Sequence, residues 1–297
     1  MTTILFALPG NESTARILAE LLHAELGNAI IRSFPDGETY VRVLSDVQGK
    51  HVILVCTLHQ PDAKVLPLYF LAQTIRQQGA SHICLVAPYL AYMRQDKAFQ
   101  TGEAITSRHF AALLANTADS LVTIDPHLHR FHHMHELYTI PAVAMHAAPV
   151  IANWLKHNLE KPLLVGPDEE SMQWVKEVAD LIGVPYLVLR KTRFSDTEVQ
   201  ISNPDMSQYF THTPVLVDDI ISTAHTMIET VKHLKSLTEK RPVCIGVHAV
   251  FASNAYHDLL DAGAAQVITC NTIAHASNGI STEALLAEGV EKLEIRN

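Results

Sequence analysis

Short apolar runs recur along the chain, many closed by Gly, Pro or Asp and followed by a longer stretch with apolar residues at helical spacing. In the first half they cover residues 3–8, 52–57, 83–87 and 121–124; in the second, 163–165, 186–189, 215–217, 243–250 and 267–270. Runs of about 4–8 β-branched residues bounded by turn signals predict buried strands. Between them, residues 14–26 and 171–182 carry the helical period, with Ser13 and Ser171 as expected starts and Gly27 and Gly183 as expected stops. Strand alternating with helix predicts mostly parallel sheets flanked by helices on both faces. The strands are too many for one ordinary open sheet, and residues 141–149, bounded by Pro141 and Pro149, divide them. The expected architecture is α/β in two domains, residues 1–145 and 146–297.

The length of 297 residues agrees with two domains at roughly 100–200 residues each. With 22 Lys and Arg against 31 Asp and Glu, the formal net charge is −9. That balance argues against a nucleic-acid or anionic-membrane surface, while leaving room for a local basic pocket. Cys56, Cys84, Cys244 and Cys270 are far apart and form no Cys-x-x-Cys pair, which disfavours a disulfide framework or a cysteine zinc site and fits a reducing compartment. The N-terminal segment lacks a basic start and its apolar run is broken by Pro9 and Gly10, so it is not expected to be a signal peptide. No apolar stretch approaches the roughly 20 residues that cross a bilayer. The expected location is the cytoplasm, with neither membrane nor nucleic acid as a partner.

Ligands of such sheets sit where βα loops converge at the carboxyl ends of strands. Five polar segments therefore carry the candidate chemistry: FPDGE at 34–38, PYLAYMRQDK at 88–97, IDPHLHR at 124–130, RKTR at 190–193 and VLVDDIISTAHTM at 215–227. The last reads as a strand, two acids, and a hydroxyl-bearing turn into a helix. Backbone N–H groups at a helix start bind phosphate, and carboxylates at a strand end hold vicinal hydroxyls. Taken singly, each has a plainer reading. Asp218–Asp219 is also a turn capped by Ser222 or Thr223, FPDGE is a turn signal between strands, and RQDK or RKTR is a solvated charge cluster.

The VDD loop resembles the phosphoribosyl-pyrophosphate motif of phosphoribosyltransferases and their relatives. FPDGE with the following YVRV, PYLAYMRQDK, GPD at 166–168, KTR at 191–193 and the VDD loop, in that order, together resemble the ribose-phosphate pyrophosphokinase family. The likeness runs from GNES at 10–13 to VHAVFA at 247–252. It implies two phosphoribosyltransferase-like domains with the active site between them. The implied reaction moves the β,γ-pyrophosphoryl group of ATP to the anomeric hydroxyl of ribose 5-phosphate, with Mg2+ as cofactor. By the same resemblance, Phe34, Asp36, Gly37 and Glu38 frame the adenine from a neighbouring subunit, so a homodimer or higher homo-oligomer is implied. Arg94, Gln95 and Asp96 belong to the ATP site, and His127 and Asp168 contact magnesium. Lys191 and Arg193 are the implied catalytic pair on a mobile loop that closes over the transferring group. Arg193, Asp218, Asp219, Ser222, Thr223, Ala224, His225 and Thr226 are the implied ribose 5-phosphate site.

The residue types suit that chemistry. Phosphoryl-type transfer is governed by positioning and by neutralising phosphate oxygens. Lysine brings a compact charge and arginine a planar fork. Magnesium takes oxygen ligands, which suits Asp168 better than His127.

Three departures from the family pattern favour a second reading, a catalytically weak regulatory paralogue. Ala224 stands where the loop usually carries glycine, so a different turn is expected there. His225 replaces a glycine or a small or basic residue, and Ser222 stands where many relatives place an acid. A base phosphoribosyltransferase explains the VDD loop alone. Histidine is abundant, 18 in all, with His129 and His133 at the spacing of a zinc pair on a helix.

Overall fold

The structure, a computed structural model, describes residues 2–128, 130–131, 133–166, 171–189, 191–193, 199–201 and 207–294. It divides into two compact units, Met1–His146 with Glu283–Asn297, and Ala147–Thr282.

The first unit contains β1 (Thr3–Ala7), α1 (Glu12–Leu21), β2 (Glu25–Leu26), β3 (Ala29–Ser33), β4 (Thr39–Val43), β5 (His51–Val55), α2 (Asp62–Gln77), β6 (His82–Ala87), α3 (Thr106–Ala115), β7 (Ser120–Ile124) and β8 (Ala142–Met145). Six of these strands form a parallel sheet in the order β2-β1-β5-β6-β7-β8. Val52 to Val55, Ile83 to Ala87 and Leu121 to Ile124 are buried throughout. Burial on both faces is why these strands read as continuous apolar runs rather than as alternations. Outside the sheet, β3 and β4 pair antiparallel as a hairpin.

The second unit contains α4 (Ala148–Asn158), β9 (Pro162–Gly166), α5 (Met172–Ile182), β10 (Tyr186–Val188), β11 (Lys191–Arg193), β12 (Val199–Ile201), β13 (Thr213–Ile220), α6 (His225–Lys235), β14 (Val243–His248), α7 (Ala255–Ala262), β15 (Gln266–Cys270) and β16 (Asn278–Ile280). Its sheet runs β10-β9-β13-β14-β15-β16, all parallel. Counted within each sheet, both orders are 2-1-3-4-5-6. The order reverses between β1 and β5 in the first unit and between β9 and β13 in the second, and such a reversal opens a crevice at the carboxyl ends of the strands. The core of the second unit gathers Leu163, Val165, Leu216, Ile221, Val231, Leu234, Cys244 and Leu259.

The C-terminal helix α8 (Glu283–Glu294) returns to the first unit, where the two contiguous halves expected from sequence put it in the second. The physical reason is close packing. A Cβ on Gly289 would lie 2.5 Å from Val122 Cγ1 and 3.0 Å from Met145 Cγ, so the helix backbone rests directly on β7 and β8.

The first helix also differs from expectation. It covers Glu12–Leu21 rather than 14–26, and residues 25–26 form the edge strand β2. Gly27 is a packing residue rather than a helix stop, since a Cβ there would meet the Phe6 ring at 2.5 Å. Gly183 does end α5, in the left-handed conformation at φ +67°. All four cysteines are buried and none is in a disulfide, and no helix among the described residues is long and apolar enough to cross a membrane.

Candidate active site

The VDD loop sits at the order reversal of the second sheet. Asp218 pairs in register with Gly246 on β14, where a Cβ would lie 2.7 Å from Ile221 Cδ1. The missing side chain lets Ile221 anchor the loop in the core. Asp218 and Asp219 are half-buried at the end of β13, and the Oδ1 of each accepts the next backbone N–H, at 3.0 and 2.7 Å. The Ser222 carbonyl accepts the Ala252 N–H at 3.1 Å, tying the turn to the loop after β14. Ser222 and Thr226 are half-buried, Thr223 and His225 exposed.

Ala224 is the N-cap of α6 and has φ +57° and ψ 10°. The alanine takes the left-handed conformation that a glycine would supply, at the cost of backbone strain. No side chain caps this helix start, so its first-turn N–H groups point toward the turn, the arrangement that receives an anion.

Lys191 and Arg193 lie in β11, which pairs antiparallel with β12 through Lys191–Ile201 and Arg193–Val199. Their backbone is thus regular strand rather than irregular loop. Asp168, His129 and, in the loop 194–206 expected to close over the site, residues 194–198 and 202–206 lie outside the described residues.

In the first unit, FPDGE forms the tip of the β3–β4 hairpin. The plain turn reading and the ligand reading coincide on it. Phe34 N–H donates to Glu38 O at 2.7 Å, Gly37 N–H to Phe34 O at 2.9 Å and Glu38 N–H to Asp36 Oδ1 at 3.2 Å, with Gly37 at φ +93°. The tip is exposed. Phe34, 40% exposed, meets Tyr40 edge-on at 5.8 Å, and the Arg32 guanidinium lies over both rings at 4.8 and 4.4 Å.

The RQDK segment follows β6, and the histidine-rich segment follows its neighbour β7. Arg94 is exposed, Gln95 half-buried and Asp96 buried. Gln95 O accepts the Ser107 N–H of α3 at 3.3 Å. The two segments are joined by Asp96 with Arg130 and by the Tyr138 hydroxyl with Met93 Sδ at 3.9 Å. The Tyr92 hydroxyl donates to Asp62 Oδ1, and that bond raises its pKa above the usual phenol value.

His127 is half-buried, two residues after Asp125, whose buried carboxylate bonds His146 Nδ1 at 3.0 Å. The rings of His133 and His135 stack at 5.2 Å. Among the described residues no three His, Cys, Asp or Glu side chains are grouped to hold a metal ion.

Among the described residues, six non-glycine residues have positive φ: His23, Gln60, Tyr92, Asp125, Ala224 and Ser253. Five of them, all but His23, lie in loops that follow β5, β6, β7, β13 and β14. Strain gathered at one class of loop is a mark of function, and it falls on three of the segments singled out in the sequence. Arg130 and Asn11 carry contacts to which the sequence assigned no role. The only signal for Arg130 was a lone guanidinium in a histidine run.

Residues 3–117 match the family profile described as the N-terminal domain of ribose phosphate pyrophosphokinase, and residues 133–284 match that of the phosphoribosyl transferase domain. The chain is 34% identical over 262 residues to the ribose-phosphate pyrophosphokinase of Sulfolobus acidocaldarius, covering 86% of this chain and 88% of that one. It is 32% identical over 297 residues to that of Methanopyrus kandleri, covering 98% and 99%. The crystal structure of phosphoribosylpyrophosphate synthetase from Mycobacterium smegmatis has the same fold, with a TM-score of 0.85, 24% identity and 100% of both chains covered. Two matching domains in sequence order, and relatives above 30% identity over most of their length, establish that the chain belongs to the ribose-phosphate pyrophosphokinase family.

Proposed function

We propose that this chain makes phosphoribosyl pyrophosphate from ATP and ribose 5-phosphate. The anomeric oxygen of the sugar attacks the β-phosphorus of ATP, the bond from that phosphorus to the α,β-bridging oxygen breaks, AMP leaves with that oxygen, and the anomeric proton passes to solvent. The observation that carries the reading is the end of β13. Two carboxylates, a left-handed Ala224 and an uncapped α6 start lie within seven residues, which suits ribose hydroxyls on one side and the 5-phosphate on the other.

In this reading Asp218 and Asp219 hold the sugar hydroxyls, and the turn from Ser222 to Thr226 receives the phosphate. Arg94 and Gln95 bind ATP, while Lys191 and Arg193 steady the charge on the transferring group. Phe34, Asp36, Gly37 and Glu38 frame the adenine of a neighbouring copy. The exposure of the hairpin tip and the Arg32 stack beneath it suit that use, and the functional form is then a homodimer or larger. The donors available fit magnesium. No all-protein cage exists among the described residues, and magnesium is held by one or two protein groups together with substrate phosphates. His127 and Asp168 would hold it, and its chemistry there is to neutralise phosphate oxygens. Buried thiols outside any disulfide suit a reducing compartment, and the cytoplasm is the location this reading assigns.

The test is purified protein with ATP, ribose 5-phosphate and Mg2+, followed by phosphorus NMR. AMP and phosphoribosyl pyrophosphate rising together, only with the sugar phosphate present, is the expected result. ATP binding without AMP, even with Mn2+ and added phosphate, would move the reading to a regulatory paralogue.

A further inference from the structure

The segments that follow β6 and β7 are joined by an ion pair with no part in the reading above. The side chain of Asp96 is 3% exposed, and its Oδ1 accepts from Arg130 Nη1 at 2.5 Å. A carboxylate removed from water needs a charged partner at contact distance, and Arg130 is that partner. Asp96 Oδ2 is buried as well and has no hydrogen-bond partner among the described residues. The contact is therefore single-pronged. One guanidinium nitrogen is committed, and the Arg130 side chain remains 46% exposed, which leaves donors of the planar fork for a second anion.

The placement gives that anion its class. Asp96 directly follows Arg94 and Gln95, and Arg130 lies three residues after His127. Strands β6 and β7 are parallel neighbours, so both segments leave the same end of the sheet. A bare carboxylate beside Arg94 would repel a triphosphate. Buried under Arg130, the same carboxylate fixes the direction of a cation instead.

We propose that Arg130 is a further phosphate-binding residue of the nucleotide site, and that Asp96 is a positioning residue that aims its guanidinium rather than a contact of ATP. The assignment rests on the pyrophosphokinase reading. Arginine suits the task because two of its N–H groups can meet two oxygens of one phosphate while a third stays on the carboxylate.

The test varies ATP at saturating ribose 5-phosphate, then the reverse, in Arg130→Ala, Arg130→Lys and Asp96→Asn. Arg130→Ala is expected to raise KM for ATP about tenfold, the size of one charge-assisted hydrogen bond, with KM for ribose 5-phosphate within about twofold. Arg130→Lys recovers part of the loss, because charge returns without the fork. Asp96→Asn raises KM for ATP by a smaller factor and adds nothing to Arg130→Ala, as expected of two residues acting as one unit. An unchanged KM for ATP in folded Arg130→Ala overturns the proposal. If that variant does not fold, an unchanged KM for ATP in both Arg130→Lys and Asp96→Asn does the same. A wild-type protein that forms no AMP would refute the pyrophosphokinase reading alone. Calorimetric titration with ATP then decides Arg130, tenfold weaker binding supporting it and equal binding overturning it.

Discussion

Asn11 reaches across the order reversal of the first sheet to Thr57, and its Oδ1 accepts the Thr57 backbone N–H at 2.8 Å. Its Nδ2 donates back to Leu8 O and Pro9 O at 3.2 and 3.3 Å, and the side chain is buried. One carboxamide thus stitches the turn after β1 to the loop after β5. The loop after β5 has the topological position that the VDD loop after β13 occupies in the second unit. Lys64 closes the same crevice by donating from Nζ to Thr57 O at 2.8 Å and to His59 Nδ1 at 2.9 Å. In the first unit this crevice is lined by Asn11, Thr57, His59 and Lys64, and in the second the described part of it is the VDD loop and the start of α6.

Asn11→Ala removes the acceptor of a buried N–H and two donors. The expected loss is about 2 kcal/mol, the usual size for a buried polar group stripped of its partner. Urea unfolding should show a lower midpoint with an unchanged m-value. A shift under about 0.5 kcal/mol would mean that water takes over the carboxamide's role.

Ala224 tests the phosphate turn. Glycine at φ +57° removes the left-handed strain of alanine but adds freedom to the unfolded chain, and the two effects nearly offset. Ala224→Gly is expected to leave stability within about 0.5 kcal/mol and KM for ribose 5-phosphate within about twofold. Ala224→Val places a β-branched residue where only small residues sit easily. It should cost about 2 kcal/mol and raise that KM. Thermal unfolding and sugar-phosphate saturation read both, and equal behaviour of the two variants would contradict the turn described.

The strands of both sheets were legible because burial on two faces leaves an uninterrupted apolar run. The run at 83–87 became β6 with one residue added, and that at 267–270 became β15 likewise. Of the four edge strands, β10 falls within the run at 186–189, whereas β2, β8 and β16 left no such trace. β2 has two residues and β16 three, too short to show a period. The hairpin was visible only as its turn, since β3 and β4 lie outside the sheets and are largely exposed or half-buried. The return of α8 was illegible for another reason. An amphipathic helix declares an apolar face but not which sheet will cover it, and Gly289 looks like a weak helix residue until Val122 is placed against it. The candidate site shows the same division. Local signals such as Asp218–Asp219 before a helix start were readable, whereas the Asp96–Arg130 pair joins residues 34 apart and exists only in the fold.

Gly289 yields a stability prediction with two opposing terms. Alanine would gain about 1 kcal/mol of helix propensity. Its Cβ would also press on Val122 Cγ1, which belongs to a fully buried, β-branched residue with little rotamer freedom. Overpacking of this kind costs about 1–3 kcal/mol, so Gly289→Ala should be net destabilising and Gly289→Val more so. An exposed glycine in a helix would respond the other way, and a raised urea midpoint for Gly289→Ala would refute the close packing of α8.

The crevice after β5 also sets a pH dependence. Burial lowers the pKa of His59 below the ordinary imidazole value, and the Lys64 ammonium at 2.9 Å lowers it further. Burial, and then His257, lower His275 in the same direction. Both rings therefore bind protons less readily when folded than when unfolded. Their contribution is complete above the unfolded value of about 6.5. Below it the unfolded chain takes up protons first, so stability falls as pH drops toward the folded values. The thermal midpoint should be flat from pH 8 to 7 and decline from about pH 6.5 downward. In His59→Gln the amide can still accept from Lys64 but cannot titrate, so the decline should be shallower. An identical slope in that variant would show that the Lys64–His59 contact does not govern acid sensitivity here.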